Sequence, residues 1–344
     1  MPVQKVFLFL HCAEMSKHQL MQNLHQFQGL FEQYMQEHQF RSVPVELYNP
    51  VNYILSLGGK RIRPLMVLAG HSLFDQEVEK SLPAAYAVEL FHNFTLLHDD
   101  IMDAAPLRRG KPTVHVKYNA NIGILSGDVM FALAYDYLLR LRCEQLPDVL
   151  SVFTQTAIEI CEGQQMDMNF EQQENVAISD YIRMIELKTA VLLGAALKIG
   201  ALSAGAPLEE AFLLHEFGRS LGIAFQLQDD VLDTYGDPSK FGKKTGGDIV
   251  QNKKTYLYLK AMELADERTG SELRGYYSGS GMAEEEKIAA VTAIFDSLGV
   301  KEAAGQVMQK YQQRALDFLA AVSVAPQKKA VLADFAESLL RREY

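Results

Sequence analysis

Two apolar helical stretches of this chain each finish in three aspartates at one spacing, and that repeat narrows what the chain can become more than any other feature. The first is His98-Asp99-Asp100-Ile101-Met102-Asp103, and the second is Gln228-Asp229-Asp230-Val231-Leu232-Asp233. Residues i and i+4 of an α-helix lie one turn apart on one face, so Asp99 and Asp103 project side by side, as do Asp229 and Asp233. Like charges so placed repel. One such cluster is ordinarily a solvated helix end. A matched pair asks for a cation, and two such helices facing each other would rim a cavity with carboxylates.

The donors are oxygens alone, without Cys or His, which points to Mg²⁺. That ion takes a few carboxylates and completes its shell with water and phosphate oxygens, so the expected ligand is a diphosphate. Three basic segments fit the same need. Gly58-Gly59-Lys60-Arg61-Ile62-Arg63-Pro64 lacks the spacing of a Walker loop, but holds three cations on a short turn able to grip an anion. Leu107-Arg108-Arg109-Gly110-Lys111-Pro112 follows Asp103 closely; it either neutralises the acidic cluster or holds phosphate oxygens beside it. Phe241-Gly242-Lys243-Lys244-Thr245-Gly246-Gly247-Asp248, with Lys253-Lys254 beyond it, follows Asp233 in the same way. A glycine-rich basic segment there could close over a bound diphosphate and exclude water.

The rest of the chain reads as helix. Leu20, Leu24, Phe27, Leu30, Phe31 and Tyr34 recur at helical intervals. Further helices are expected from about Glu46 to Gly58-Gly59, Leu65 to Phe74, Pro83 to Ala104-Ala105-Pro106, Ile122 to Leu141, Val149 to Phe170, Ser179 to Leu202 and Pro207 to Tyr235. Within Ser179–Leu202 the polar pair Lys188-Thr189 interrupts an apolar pattern; a lone lysine there often snorkels to water. A helix is expected from Lys253-Lys254, a loop from Gly270 to Gly281, and three helices from Ala283 on, divided at Ser297-Leu298-Gly299 and Pro326. No stretch alternates with period two, so the fold class is all-α, with no linker between domains and no low-complexity tract.

Composition bounds the partners. A net charge of −10 speaks against non-specific nucleic-acid binding. Cys12, Cys143 and Cys161 are too few and too scattered for a disulfide framework or a zinc site, which fits a reducing cytoplasm. Val6 to Leu10 is too short for a signal peptide, and no run approaches the roughly 20 apolar residues of a membrane span, so no integral membrane segment is expected. Met15-Ser16-Lys17 reads as an alternative start, which makes residues 1–14 dispensable and 15–344 the single domain.

GGKRIRP, LLHDDIMDAAPLRRGKP, the Lys188-Thr189 pair, FQLQDDVLD and GKKTGGD stand in the order and spacing of one known family. From about residue 45 onward the chain resembles the trans-isoprenyl diphosphate synthases, or polyprenyl synthetases. The resemblance implies the isoprenoid synthase fold, a bundle of long antiparallel helices around a deep central cavity, in a homodimer. It implies three Mg²⁺ held with the allylic diphosphate by Asp99, Asp103, Asp229 and Asp233, with Asp100 and Asp230 in support. Arg108, Lys188, Lys243 and Lys253 correspond to contacts with the allylic diphosphate. Lys60, Arg63, His92 and Arg109 correspond to the isopentenyl diphosphate pocket, and Thr189 and Gln226, with Lys188, to the catalytic centre. The implied reaction ionises the allylic C–O bond, condenses the cation with the isopentenyl alkene and eliminates a proton.

By the same resemblance, residues about one turn before Asp99, some 5.4 Å deeper along the helix, set product length. These are Phe94 and Thr95. The spacer Ile101-Met102 is shorter than in bacterial farnesyl synthases, and Thr95 replaces the second aromatic of the eukaryotic farnesyl type. A single aromatic without an insertion resembles the archaeal geranylgeranyl type, so geranylgeranyl is favoured over farnesyl diphosphate as product. Two other readings share some of these features. A terpene cyclase carries one such acidic motif but normally an asymmetric second site, and a non-catalytic subunit of another synthase usually lacks one of the motifs.

Overall fold

The computed structural model describes residues 25–236, 245–279 and 281–340. The proposed extension, residues 1–14, lies outside them, as do Lys243 and Lys244. Two compact units emerge. One holds the described chain up to Thr154 together with Ala195–Leu214 and Val322–Asp334; the other holds Gln155–Gly194, His215–Ala321 and the described residues from Phe335 on.

The first unit is organised on the helix Leu82–Met102, which carries the first acidic motif. Pro83 sits in its first turn, where a missing N–H costs nothing. Ala84 to Leu90 are buried on every side, as expected of a helix enclosed by others rather than laid on a surface. Tyr86 is the hub of an aromatic cluster, edge-on to Tyr137 at 4.7 Å and to Tyr34 at 5.9 Å. The helix Ala120–Leu138 lies close along the acidic helix because Gly123 and Gly127 occupy the contact. A side chain on Gly127 would overlap the His98 ring, and one on Gly123 would come within 2.9 Å of Ile101 Cδ1. One turn on, Phe131 stacks on Phe94 at 5.3 Å. Elsewhere in this unit the helix Ile62–Ser72 meets the part of Val191–Ser203 from Ala195 on through two glycines. Gly70 faces the Leu197 carbonyl and Gly200 the Val67 carbonyl, with no room for a Cβ at either.

The second unit buries Tyr181, Met184, Ile185, Ile223, Leu227, Val231, Leu257, Leu273 and Phe295 in one apolar cluster. The segment expected as one helix from Ser179 to Leu202 runs as Ile178–Ile185, a π-helical turn Glu186–Ala190, and Val191–Ser203. The wide turn contains Lys188-Thr189, and such π turns gather at functional positions.

Two expectations need correction. Gly270–Gly281 is not a loop: Glu267–Tyr277 is helical. Asp266 caps it, accepting from the Thr269 N–H at 2.8 Å, and Leu273 is fully buried. That cap and that burial outweigh the roughly 1 kcal/mol that each of Gly270 and Gly275 costs within a helix. Gly279 and Gly281, both at positive φ, lie beyond its end. The basic turn after Asp103 is also more regular than expected. Leu107–Arg108 pairs antiparallel with Lys111–Pro112, and Arg109 and Gly110 both take positive φ, as a two-residue hairpin of this twist requires.

The glycine contacts yield a stability prediction. Gly200→Ala forces a methyl group onto the Val67 carbonyl and is expected to destabilise the protein by about 1–3 kcal/mol or more. Gly29→Ala, on an exposed face with nothing within 4 Å, is expected to be neutral or to stabilise by about 0.5–1 kcal/mol. Denaturant titration of both variants checks this; equal midpoints would show that the helix pair has slack.

Candidate active site

The first acidic motif is presented by the last turn of its helix. The Asp103 N–H donates to the Asp99 carbonyl at 2.9 Å, so the one-turn spacing of the two side chains is realised. Asp103 is exposed and Asp99 partly buried, whereas Asp100 is only 3% exposed. Arg108 grips Asp100 with two parallel bonds, Nε to Oδ2 at 2.7 Å and Nη2 to Oδ1 at 2.8 Å. A bidentate pair of this kind fixes both side chains and neutralises the buried charge. The basic hairpin is thereby held against the acidic helix, and Arg108 does part of what simple neutralisation would require.

The three cations of the GGKRIRP segment divide. Arg61, at φ 49°, turns inward, pairing with Glu89 and donating to the Leu55 carbonyl. Glu89 is in turn held by Asn93 Nδ2 at 2.7 Å. Arg61 is therefore a structural cation, and not part of an anion grip. Lys60 is exposed, and Arg63 Nη1 lies 3.2 Å from His92 Nε2. Arginine only donates, so His92 Nε2 accepts and the ring proton sits on Nδ1. Desolvation first, then the charges of Arg63, Arg109, Arg108 and Arg61, hold the imidazole well below its ordinary 6.5. Arg109 reaches back to donate to the Gly58 carbonyl, and its guanidinium fills the place a side chain on Gly59 would take. Arg63, His92 and Arg109 thus belong to one positively charged corner of the first unit, suited to an anion, and Lys60 is adjacent in sequence.

On the same helix Phe94 is clamped by rings. It touches Phe91 at 5.6 Å, Phe131 at 5.3 Å and His98 at 4.7 Å, centroid to centroid. Thr95 turns its hydroxyl back to the His92 carbonyl at 2.8 Å.

The second acidic motif lies on the helix Leu208–Tyr235. Its middle aspartate is again the buried one: Asp230 is 4% exposed, and among the described residues its side-chain partners are neutral. Tyr181 donates to Asp230 Oδ2, and Gln226 Nε2 donates to Oδ1 at 3.3 Å. Burial still pushes the Asp230 carboxyl up to about 8, against the lowering effect of both donors. Thr189 Oγ1 donates to Gln226 Oε1 at 3.4 Å, so the two are brought together as expected. Asp233 is tied to the following segment: the Asp248 N–H donates to Oδ2 at 2.9 Å, and the Gly246 N–H donates to the Asp233 carbonyl at 2.6 Å. Lys253 Nζ stands 4.0 Å from Asp248. Lys188 is paired with Asp167 at 2.6 Å.

The π turn carrying Lys188 and Thr189 is packed between two glycines of the second unit. A Cβ on Gly163 would overlap the Lys188 backbone nitrogen, and one on Gly222 would come within 2.6 Å of the Ala190 Cα. Asp167, Tyr181 and Asp248 take part in this half, and the motif reading did not single out their roles. Asp167, an acid between Met166 and Met168 one turn after Gly163, and Tyr181, two turns before Lys188, carried the only signals that could have found them.

The donor set fits magnesium. Each motif offers two carboxylates one turn apart, neither of them among the fully buried residues, and among the described residues no group of three His, Cys, Asp or Glu side chains gathers to hold a metal. An ion held there takes further ligands from water and phosphate, which Mg²⁺ does and a fully protein-caged metal does not.

Comparison with known proteins agrees with this chemistry. The polyprenyl synthetase family profile matches residues 44–298. The geranylgeranyl diphosphate synthase of Methanosarcina mazei is 38% identical over 303 residues, 88% of this chain and 91% of its own length. The short chain isoprenyl diphosphate synthase of Methanocaldococcus jannaschii is 41% identical over 254 residues, 74% of this chain and 77% of its own. A crystal structure of a geranylgeranyl pyrophosphate synthase, 43% identical, superposes with a TM-score of 0.89 over 93% of this chain and 99% of that one. With its all-helical isoprenoid synthase fold and both aspartate motifs in place, the chain belongs to the polyprenyl synthetase family, the trans-isoprenyl diphosphate synthases.

Proposed function

We propose that this short-chain prenyltransferase condenses isopentenyl diphosphate with dimethylallyl, geranyl or farnesyl diphosphate and makes geranylgeranyl diphosphate. The observation that carries the product length is Phe94, pinned by Phe91, Phe131 and His98. A ring so held cannot swing aside for a longer chain, and relatives from Methanosarcina mazei and Sulfolobus acidocaldarius are named geranylgeranyl diphosphate synthases. Thr95 adds no second aromatic, which leaves room for a product longer than farnesyl.

Asp99, Asp103, Asp229 and Asp233 would hold Mg²⁺, three ions once diphosphate is bound, and the ions would supply positive charge to offset the charge developing on the leaving diphosphate. Arg108, Lys188, Lys243 and Lys253 bind the remaining oxygens of the allylic diphosphate, Lys188 exchanging its Asp167 contact for phosphate. Lys60, Arg63, His92 and Arg109 bind the diphosphate of isopentenyl diphosphate, with His92 neutral and donating through Nδ1. The allylic C–O bond breaks, the isopentenyl alkene attacks the cation, and a proton leaves to the released diphosphate. Thr189 and Gln226 present oxygen dipoles to the cation, while apolar walls keep water from trapping it.

Residues 15–344 act as one domain in a homodimer. Leu125 on Ala120–Leu138 and Leu139 just past its end, 59% and 55% exposed, favour burial against a second copy. Among the described residues no helix is long and apolar enough to cross a membrane. The scattered cysteines and acidic charge support a cytoplasmic enzyme without nucleic-acid partners.

Purified protein incubated with Mg²⁺, isopentenyl diphosphate and each allylic primer in turn is expected to accumulate geranylgeranyl diphosphate. Farnesyl diphosphate as the end product, or products longer than geranylgeranyl, would overturn the length assignment, a cyclised hydrocarbon without isopentenyl consumption would mark a cyclase, and no turnover with any primer a silent subunit. Phe94→Ala is expected to lengthen the product; an unchanged profile would place the floor elsewhere.

The state of His92 predicts a pH dependence. Its folded pKa is depressed below 6.5, so its contribution to stability is complete above about 6.5 and is lost as pH falls towards the folded value, because the unfolded chain takes up the proton first. The denaturation midpoint of the natural protein should therefore drop more between about pH 7.5 and 5.5 than that of His92→Asn. Equal drops, or an imidazole ¹⁵N shift typical of the cation at pH 6, would refute a neutral His92.

A further inference from the structure

Tyr181 lies in none of the motifs from which the reaction is read, yet its hydroxyl ends in the second acidic motif. It is 4% exposed and shares an apolar cluster with Met184, Ile185, Ile223 and Leu227, where a phenylalanine would bury as much surface without a polar atom to satisfy. The hydroxyl donates to Asp230 Oδ2. The other oxygen of that carboxylate receives Gln226 Nε2 at 3.3 Å, and Gln226 Oε1 receives the Thr189 hydroxyl at 3.4 Å. The order of donors is fixed from the Tyr181 end. Both Asp230 oxygens accept, Oδ2 from the phenol and Oδ1 from the amide NH₂, so the amide turns its carbonyl towards Thr189, and the threonine hydrogen points at the amide.

We propose that Tyr181 is a positioning residue for prenyl transfer: its hydroxyl holds the Asp230 carboxylate, the carboxylate orients the Gln226 amide, and the amide aims the Thr189 oxygen lone pairs at the reacting carbon. This inference builds on the reading of Thr189 and Gln226 as lining the catalytic centre. The backbone of the π turn is held independently, by Gly163 against Lys188 and Gly222 against Ala190. Loss of the phenol hydroxyl therefore leaves Lys188 and Thr189 where they are and releases only the direction of two dipoles. With the carboxylate free to turn, the amide can present NH₂ to Thr189, and the hydroxyl loses its single orientation.

The consequence is a loss in turnover without a loss in binding. Tyr181→Phe, with a cooperative thermal melt, is expected to lower kcat by about 10- to 100-fold, the scale of a small misplacement at a reacting centre. KM for isopentenyl and geranyl diphosphate should stay within about twofold. Because Tyr181 acts through the Gln226 amide, the double variant Tyr181→Phe/Gln226→Met should be no slower than Gln226→Met alone. Calorimetric binding of a non-hydrolysable allylic diphosphate analogue should be unchanged. An unchanged kcat, a rise in KM or weaker analogue binding, or losses that multiply in the double variant would each overturn the proposal. Should the phenylalanine variant not fold, 3-fluorotyrosine placed at 181 keeps the shape and alters only donor strength; a kcat shift of about twofold or more supports the proposal and no shift overturns it. Turnover by the natural protein separates the two readings: if it is active and the variants behave additively, this inference alone fails, whereas absence of turnover removes the functional reading and this one with it.

Discussion

Each aspartate triad must bury its middle member, and the rest of the site is arranged around that cost. Helical geometry puts Asp99 with Asp103, and Asp229 with Asp233, on one face, which leaves Asp100 and Asp230 turned to the interior. A buried carboxylate without partners would be prohibitively costly or would lose its charge. The two halves answer differently. Asp100 receives the guanidinium of Arg108, an opposite charge in bidentate geometry. Asp230 receives neutral donors, Tyr181 and Gln226, and its carboxyl remains shifted up by burial. The first solution ties a basic hairpin to the acidic helix. The second ties the Gln226 amide, and through it Thr189, to the same carboxylate.

The second theme is backbone approach where side chains are missing. Gly123 and Gly127 admit Ile101 and His98, which brings Phe131 onto Phe94; Gly163 and Gly222 close on the π turn that displays Lys188 and Thr189. These contacts define positions to within a fraction of an ångström, because close-packed groups do not deform continuously. A wide helical turn on its own would be soft. Packed on both sides by backbone, it becomes a fixed platform for two polar side chains.

Much of this was legible in the sequence, and what was missed has a common cause. Helical periodicity located the long helices to within a few residues, and the aspartate spacing, basic segments and Lys188-Thr189 pair carried the family resemblance unaided. What stayed hidden depends on partners far along the chain. Arg61 looks like a third anion-binding cation until Glu89, 28 residues away, is seen to take it. Tyr181 looks like one more core aromatic until Asp230, 49 residues away, is found beneath its hydroxyl. The helix Glu267–Tyr277 was masked by Gly270 and Gly275, residues whose local preference yields to an Asp266 cap and a buried Leu273. No periodicity rule announces the extra residue of a π turn, since the pattern of apolar positions on either side stays helical.

The seat of the Arg109 guanidinium carries a further consequence. It occupies the space beside Gly59 that any larger residue would claim, and it holds on to the carbonyl of Gly58. The two glycines are therefore not interchangeable spacers: one vacates a berth and the other supplies the mooring for a cation from a different loop. A side chain at 59 would have to displace the guanidinium, so the seat of this cation is set by a position that bears no charge of its own.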